Sequence, residues 1–446
     1  MPEESRSFGR SAATLSAGVG LAGVLTYVFF ALASHNLEPV AYGELVVLWS
    51  AVFVTISILH RPVEQLISRG VAEHRARGES VGATIRAAAL IQGVVALGFA
   101  LAALALRGQL EDGLLSGDET LYWIYVGSVL AFAASFFARG FLAGEGRFQL
   151  LGALLVFESA SRMAFSLAVA VGIADGRTAI AVGIAVAPLV SLIVVPLAFA
   201  STRRHTDPPT RSGRPRFSSS SFAAAVFVIM LSEQVLLNGG PLLVNGAEGA
   251  AAAGFIFNVL MLARAPLLVF QGIAISLLPH LTRLRSSGSG EADAAFGLSV
   301  TVTLRAVAGF AAVVAVTVAA AGPQLMQLAF GDRFDYDRPG LLIVTAAMGL
   351  YLAATTLSQA ALAQGQARRA ASAWGACAVV FLVWSALPLL EDAARRIEIG
   401  LLAAAAALFA LLFSIYRNPR ATAEDIPVAG SQAERDARLA LADEAS

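Results

Sequence analysis

Twelve stretches of about 20 mostly apolar residues follow one another along the chain, separated by short polar connections. They lie at roughly 12–34, 43–59, 83–106, 121–143, 150–173, 178–200, 218–243, 253–279, 294–320, 339–363, 372–390 and 397–416. A helix that crosses a bilayer needs about 20 such residues. Hydrocarbon cannot satisfy an unpaired backbone amide, so runs of this kind predict helices. They are continuous, not alternating, which argues against barrel strands. The first run follows Arg6 and Arg10 and contains Ala31-Leu32-Ala33, features shared with a signal peptide. Its apolar stretch of about 22 residues is longer than a signal core, so it reads as an uncleaved first span. The expected class is an all-α polytopic membrane protein with about 12 transmembrane helices.

Arginine placement orients these spans. All 31 basic residues are Arg; there is no Lys. With the N-terminus in the cytoplasm, 20 of them fall in inside segments, six in outside segments and five within spans. The outside six are Arg107, Arg177, Arg333, Arg338, Arg395 and Arg396, and the loops around them are acidic, with Glu111, Asp112, Asp118, Glu119, Asp332, Asp335 and Asp337. This is the positive-inside pattern, and it predicts cytoplasmic N- and C-termini. A composition rich in Ala, Gly and Arg without Lys suits a GC-rich bacterial genome, hence the bacterial cytoplasmic (inner) membrane.

The polar segment 201–217, rich in Pro, Arg and Ser, divides the chain into two sets of six spans. The expected organisation is a cytoplasmic N-terminus at 1–11, an N-lobe at 12–200, a linker at 201–217, a C-lobe at 218–416 and a polar tail at 417–446. The halves share short patterns. Ala41-Tyr42-Gly43 and Ala252-Ala253-Gly254 are offset by 211 residues, Leu142-Ala143-Gly144 and Leu362-Ala363-Gln364 by 220. An even number of spans per half implies a parallel repeat about an axis normal to the membrane, with a site between the lobes.

Composition excludes several functions. Hydrophobic residues make up 57% of the chain, charged residues 14%, and mean hydropathy is +0.72. A soluble enzyme could not bury that much apolar surface in one core. The 31 basic residues are balanced by 31 acidic ones, leaving no surplus for nucleic acid. Without Lys there is no phosphate-binding P-loop. The single cysteine, Cys377, builds neither a disulfide nor a thiolate metal site. The five histidines, at 35, 60, 74, 205 and 280, fall between apolar runs and lack metal-ligand spacing, so they read as interfacial loop residues. No cofactor or metal is expected, and no catalytic constellation is evident.

Charges at membrane depth are costly and usually face a cavity or each other. Glu158 and Arg162 stand four residues apart in the fifth span, on one helix face, where they can pair. Arg264 lies about ten residues into the eighth span with no acid nearby on its helix; Asn258 and Gln271 flank it and Pro266 follows. Arg305 and Glu233 are also deep, and are expected either to pair across helices or to meet substrate. Arg86 and Arg139 lie nearer span ends, where they are expected to snorkel. Guanidinium forks match phosphate geometry and remain charged when buried. The candidate substrate-binding set is therefore Arg264, Arg162, Arg305, Asn258 and Gln271, with Glu158 and Glu233 as proton-coupling or ion-pairing carboxylates. Trp123 and Trp374, near span ends, read as interfacial anchors.

Three stretches carry a family resemblance. Ala31-Leu32-Ala33 through Leu37-Glu38-Pro39-Val40-Ala41-Tyr42-Gly43 resembles the junction of the first two spans in Wzx-type polysaccharide flippases, which belong to the MOP exporter superfamily. Arg139-Gly140-Phe141-Leu142-Ala143-Gly144-Glu145-Gly146-Arg147-Phe148 and Phe330-Gly331-Asp332-Arg333-Phe334, followed by Ser358 to Ala363, are similar to the same family. The resemblance implies two six-helix lobes in a MATE-like fold, alternating access, and transfer of a polyprenyl-diphosphate-linked oligosaccharide between leaflets. Its implied partners are that lipid-linked glycan, membrane lipids, and polymerase or glycosyltransferases of the same pathway. The first span lacks arginine, unlike the lipid II flippase branch. Two other readings are a small-molecule or cation antiporter of the same superfamily and a membrane-embedded glycan polymerase. Outer loops of about 18 residues at most disfavour the polymerase.

Overall fold

The apolar runs fold as helices. The computed structural model describes residues 2–196, 220–265 and 290–418, and among these residues there is no strand. The first half contains α1 (Pro2–Asn36), α2 (Pro39–Leu59), α3 (Arg61–Ala76), α4 (Gly82–Ala105), the short α5 (Arg107–Leu114), α6 (Glu119–Gly144), α7 (Phe148–Ala170) and α8 (Gly176–Ser191). The second contains α9 (Ser220–Glu248), α10 (Ala250–Arg264), α11 (Gly290–Phe330), α12 (Arg338–Ala363), α13 (Ala367–Ala386) and α14 (Ala393–Arg417). Among the described residues, 11 helices are long and apolar enough to cross a membrane. The remainder of the expected eighth span, with Gln271, lies outside the described residues, as do the linker 201–217 and the chain beyond Asn418.

Four expectations are corrected. The connection expected at 60–82 is largely α3, which continues α2 after a break. Pro62, in the first turn of α3, has no N–H to join the two into one ladder. Val63, Ile67, Val71 and His74 are buried on one face of α3, a helical period masked by the segment's overall polarity. His60 and His74 are therefore buried helix-associated residues, not loop residues. The ninth span runs to Phe330, ten residues past its expected end, and includes Pro323. Trp374 is buried and donates to Ser358 Oγ at 3.1 Å, so it is a packing residue. Trp123 is exposed, beside Glu119 and Arg107.

The pairs α6–α7 and α12–α13 repeat with a constant register. Helices α6 and α12 both have 26 residues and begin 219 residues apart, at Glu119 and Arg338. Helices α7 and α13 also begin 219 apart, at Phe148 and Ala367. The turns between them match. Gly146 and Gly365, again 219 apart, take left-handed φ values of +69° and +74°. The following amides, Arg147 N and Gln366 N, return to Leu142 O and Ala361 O. This is the helix C-terminal turn that glycine favours. The packing repeats too: α1 against α7, α6 against α8 and α7 against α8 correspond to α9 against α13, α12 against α14 and α13 against α14.

Each half also ties its acidic end by an equivalent ion pair. In the first, Arg177 at the start of α8 pairs with Asp118, whose side chain also caps α6 through Leu121 N at 2.9 Å. In the second, Arg395 at the start of α14 pairs at 2.7 Å with Asp337, the residue preceding α12. Tyr336 donates to Glu398 there; burial, then that carboxylate, push its phenol well above the usual range and keep it a donor.

The halves meet mainly where α2 crosses α10. Gly43 and Gly254 make the crossing close. A Cβ on Gly254 would lie 3.0 Å from Gly43 Cα, and one on Gly43 would collide with the Ala250 carbonyl. Small residues permit such approaches between membrane helices. One turn along α10, Asn258 accepts a hydrogen bond from Tyr42. Phe30 packs edge-on to Trp49 at 4.9 Å and against Phe257 at 4.5 Å, and Tyr42 meets Phe334 at 5.3 Å.

Substituting Gly43→Ala is expected to destabilise the protein by about 2 kcal/mol, the cost of overpacking a tight contact. Gly127→Ala, on α6 with open space around it, is expected to leave stability unchanged or slightly raised. Thermal unfolding in detergent compares the two.

Candidate functional site

A cavity of about 360 Å³ lies between the halves. Its walls come from α1 (Ala22, Thr26, Tyr27), α2 (Trp49, Phe53), α6 (Arg139), α7 (Leu155, Glu158, Ser159, Arg162), α9 (Leu237) and α10 (Met261, Arg264). Arg162 and Arg264 each stand 14 residues from the start of their helix, or about 21 Å along it. The charge therefore sits near mid-membrane.

Glu158 organises the first-half wall. Its carboxylate accepts from Arg162 Nη2 at 3.0 Å, from Ser135 Oγ at 3.2 Å and from Arg139 Nη2. The pair on α7 follows from the i,i+4 spacing. Arg139 is brought in by the close packing of α6 on α3, where a Cβ on Gly140 or Gly144 would lie 2.7 Å from the Glu64 or Ser68 carbonyl. Arg162 also lies over the faces of Trp49, at 4.8 Å, and Phe53, at 5.8 Å, and Arg139 over Phe136 at 4.6 Å. Such cation–π contacts partly replace lost hydration.

Donors are left over. Arg162 Nε and Nη1 and Arg139 Nε have no hydrogen-bond partner among the described residues, nor do Arg264 Nε and Nη2. Arg264 Nη1 reaches Asn238 Oδ1 at 3.5 Å, and Asn238 in turn donates to Gln234. The lining carries three guanidiniums and one carboxylate. Unpaired buried donors are expensive, and the side chains that carry them line a cavity large enough for an anionic group.

The residues singled out in the sequence are distributed unevenly. Arg162, Glu158 and Arg264 line the cavity. Asn258 is fully buried at the α2–α10 crossing, bonded to Tyr42, and is not part of the lining. Glu233 accepts from Tyr351 at 2.7 Å and does not meet Arg305. Arg305 is exposed on the flank of α11, away from the cavity. Arg139, expected to snorkel, is in the wall. Its depth alone gave no signal, but its presence beside Glu158 does. Among the described residues no cluster of His, Cys, Asp or Glu is built to hold a metal ion.

Comparison with known proteins gives the family and the fold. A family model described as "Polysaccharide biosynthesis protein" matches residues 8–285. An uncharacterized protein of Mycobacterium tuberculosis is 26% identical over 379 residues, covering 81% of each chain. Among solved structures, an inward-facing multidrug resistance MATE family transporter of the MOP superfamily superposes with a TM-score of 0.65 at 14% identity, covering 89% of this chain and 94% of that one. A eukaryotic MATE transporter superposes with a TM-score of 0.64 at 12% identity, covering 95% and 97%. These structures show a shared fold.

Removing one member of the buried ion cluster should cost more than removing all of it. Glu158→Ala leaves two guanidiniums without their anion and is expected to destabilise by about 3 kcal/mol. The triple substitution Arg139→Ser, Glu158→Cys, Arg162→Phe removes every charge and is expected to be more stable than Glu158→Ala. Melting curves of the two variants and the wild type test that order.

Proposed function

The chain is a multi-pass membrane protein of the polysaccharide biosynthesis protein family, and from that premise we propose that it is a transporter of the MOP type that flips a polyprenyl-diphosphate-linked oligosaccharide across a bacterial inner membrane. In this reading the arginine-rich ends of the helices and both termini face the cytoplasm. The glycan head enters the cavity from the inner leaflet, the lipid tail stays in hydrocarbon, and alternating access of the two lobes releases the head outside. Glycosyltransferases supply the substrate and a polymerase consumes it.

The observation that carries this reading is the cationic cavity. Three guanidiniums at membrane depth, with unpartnered N–H groups and a single carboxylate between them, suit a diphosphate. A cationic drug would meet an excess of like charge there, which weighs against the antiporter reading. Thr26, Ser159 and Tyr27 add neutral hydrogen-bonding groups for a sugar. Phe30, Trp49 and Phe257 pack together, and Tyr42 meets Phe334; in this reading these aromatic contacts lie between the head group and the proposed exit. Of the two deep carboxylates, Glu158 is the ion-pairing one and Glu233 is left for proton coupling; the reading calls for no cofactor or chemical step.

Transport of a fluorescent polyprenyl-diphosphate oligosaccharide into the outer leaflet of proteoliposomes tests the proposal. Arg162→Ala and Arg264→Ala are expected to reduce translocation at least about tenfold, as loss of a buried charged contact does. Arg305→Ala is expected to act like the wild type. A folded wild type that moves an organic cation but no diphosphate-linked glycan would sink the proposal in favour of the antiporter.

A further inference from the structure

The repeat supplies an internal control for the ion cluster. At the constant 219-residue offset, Arg139, Glu158 and Arg162 correspond to Ser358, Cys377 and Phe381. The second half packs the same pair of helices, α12 and α13 in place of α6 and α7, with these neutral side chains. Ser358 accepts from Trp374, and Cys377 and Phe381 are buried. The helix packing itself therefore does not require an ion cluster at this position. In the first half a buried carboxylate, 3% exposed, stands between two guanidiniums that both border the cavity.

We propose that Glu158 is a built-in surrogate for the substrate's phosphate: it holds Arg139 and Arg162 until the ligand arrives, and the phosphate then takes them over by exchange. This rests on reading the cavity as a diphosphate site. Two guanidiniums side by side at this depth repel and are poorly hydrated, and Glu158 relieves both penalties. Binding then swaps one anion for another. Once Glu158 lets go, Nη2 of Arg162 and Nη2 of Arg139 join the buried, unpartnered Nε and Nη1 of Arg162 and Nε of Arg139 as donors for the phosphate. The exchange keeps affinity moderate, so the ligand can leave on the far side, as passage through any membrane site demands. Glu158 is thus a positioning residue that competes with the ligand. The head group is held by the first half, with Arg264 approaching from the second.

Equilibrium binding of a fluorescent polyprenyl diphosphate to the full chain in lipid nanodiscs tests this. Glu158→Gln keeps an acceptor for Ser135 and removes the competing charge. It is expected to bind the probe about tenfold tighter, a change of about 1.4 kcal/mol, while multiple-turnover transport slows. Glu158→Asp, with a shorter carboxylate, is expected to fall between Gln and the wild type, and decides the matter if the Gln variant does not fold. Binding by the folded variants that is unchanged or weaker overturns the surrogate role and leaves the diphosphate site standing. Absence of binding by the wild type, or wild-type binding by the triple variant Arg139→Ser, Glu158→Cys, Arg162→Phe, overturns both.

Discussion

A guanidinium in the middle of a membrane has to be solvated by the protein around it. Arg162 meets that requirement from three directions: the Glu158 carboxylate on its own helix, the faces of Trp49 and Phe53 on α2, and the cavity itself. Much of the first half is arranged around this need. The glycines of α6 let it lie against α3, which sets Arg139 where the second oxygen of Glu158 can accept from it. The left-handed turn at Gly146 sends α7 back beside α6 in register, so that Ser135 also reaches the carboxylate. Hydrocarbon makes each of these contacts matter more than it would at a water-exposed surface, because the alternative to a protein partner is no partner.

The same scaffold without the charge is present in the second half. Helices of the same register, joined by the same glycine turn and tied at the acidic end by the same Asp–Arg pair, enclose Ser358, Cys377 and Phe381. The fold is thus nearly two-fold in its backbone and one-sided in its electrostatics. An asymmetric cavity in a symmetric frame suits a ligand with a charged end and a neutral remainder, since the two walls offer different chemistry.

Hydropathy made most spans legible, because length and apolarity are all that crossing a bilayer requires. The Glu158–Arg162 pair was legible too, because i,i+4 spacing does not depend on tertiary structure. Rotation about the helix axis was not. A span apolar on every side carries no amphipathic stripe to show which face turns inward, so Arg305 and Arg162 looked equivalent by depth, yet one faces outward and the other lines the cavity. Arg139 misled in the opposite way: five residues from the end of α6, it was near enough to reach water, but a partner on α7 held it. The polarity of 61–76 concealed α3, whose buried residues follow a helical period that an averaged hydropathy does not register.

The crossing at Gly43 and Gly254 lies close to one end of both helices, and that placement has a mechanical consequence. From Gly43 to Leu59, where α2 ends at the break before α3, the helix rises about 24 Å. The segment is a lever with its fulcrum at the glycines. Each degree of rotation there displaces the far end of α2 by about 0.4 Å, and α3, with Arg69 over the Phe222 ring, follows from that end. A contact nearest the fulcrum would move least and the far end of α2 most, and that ratio is set by the position of two residues that have no side chain.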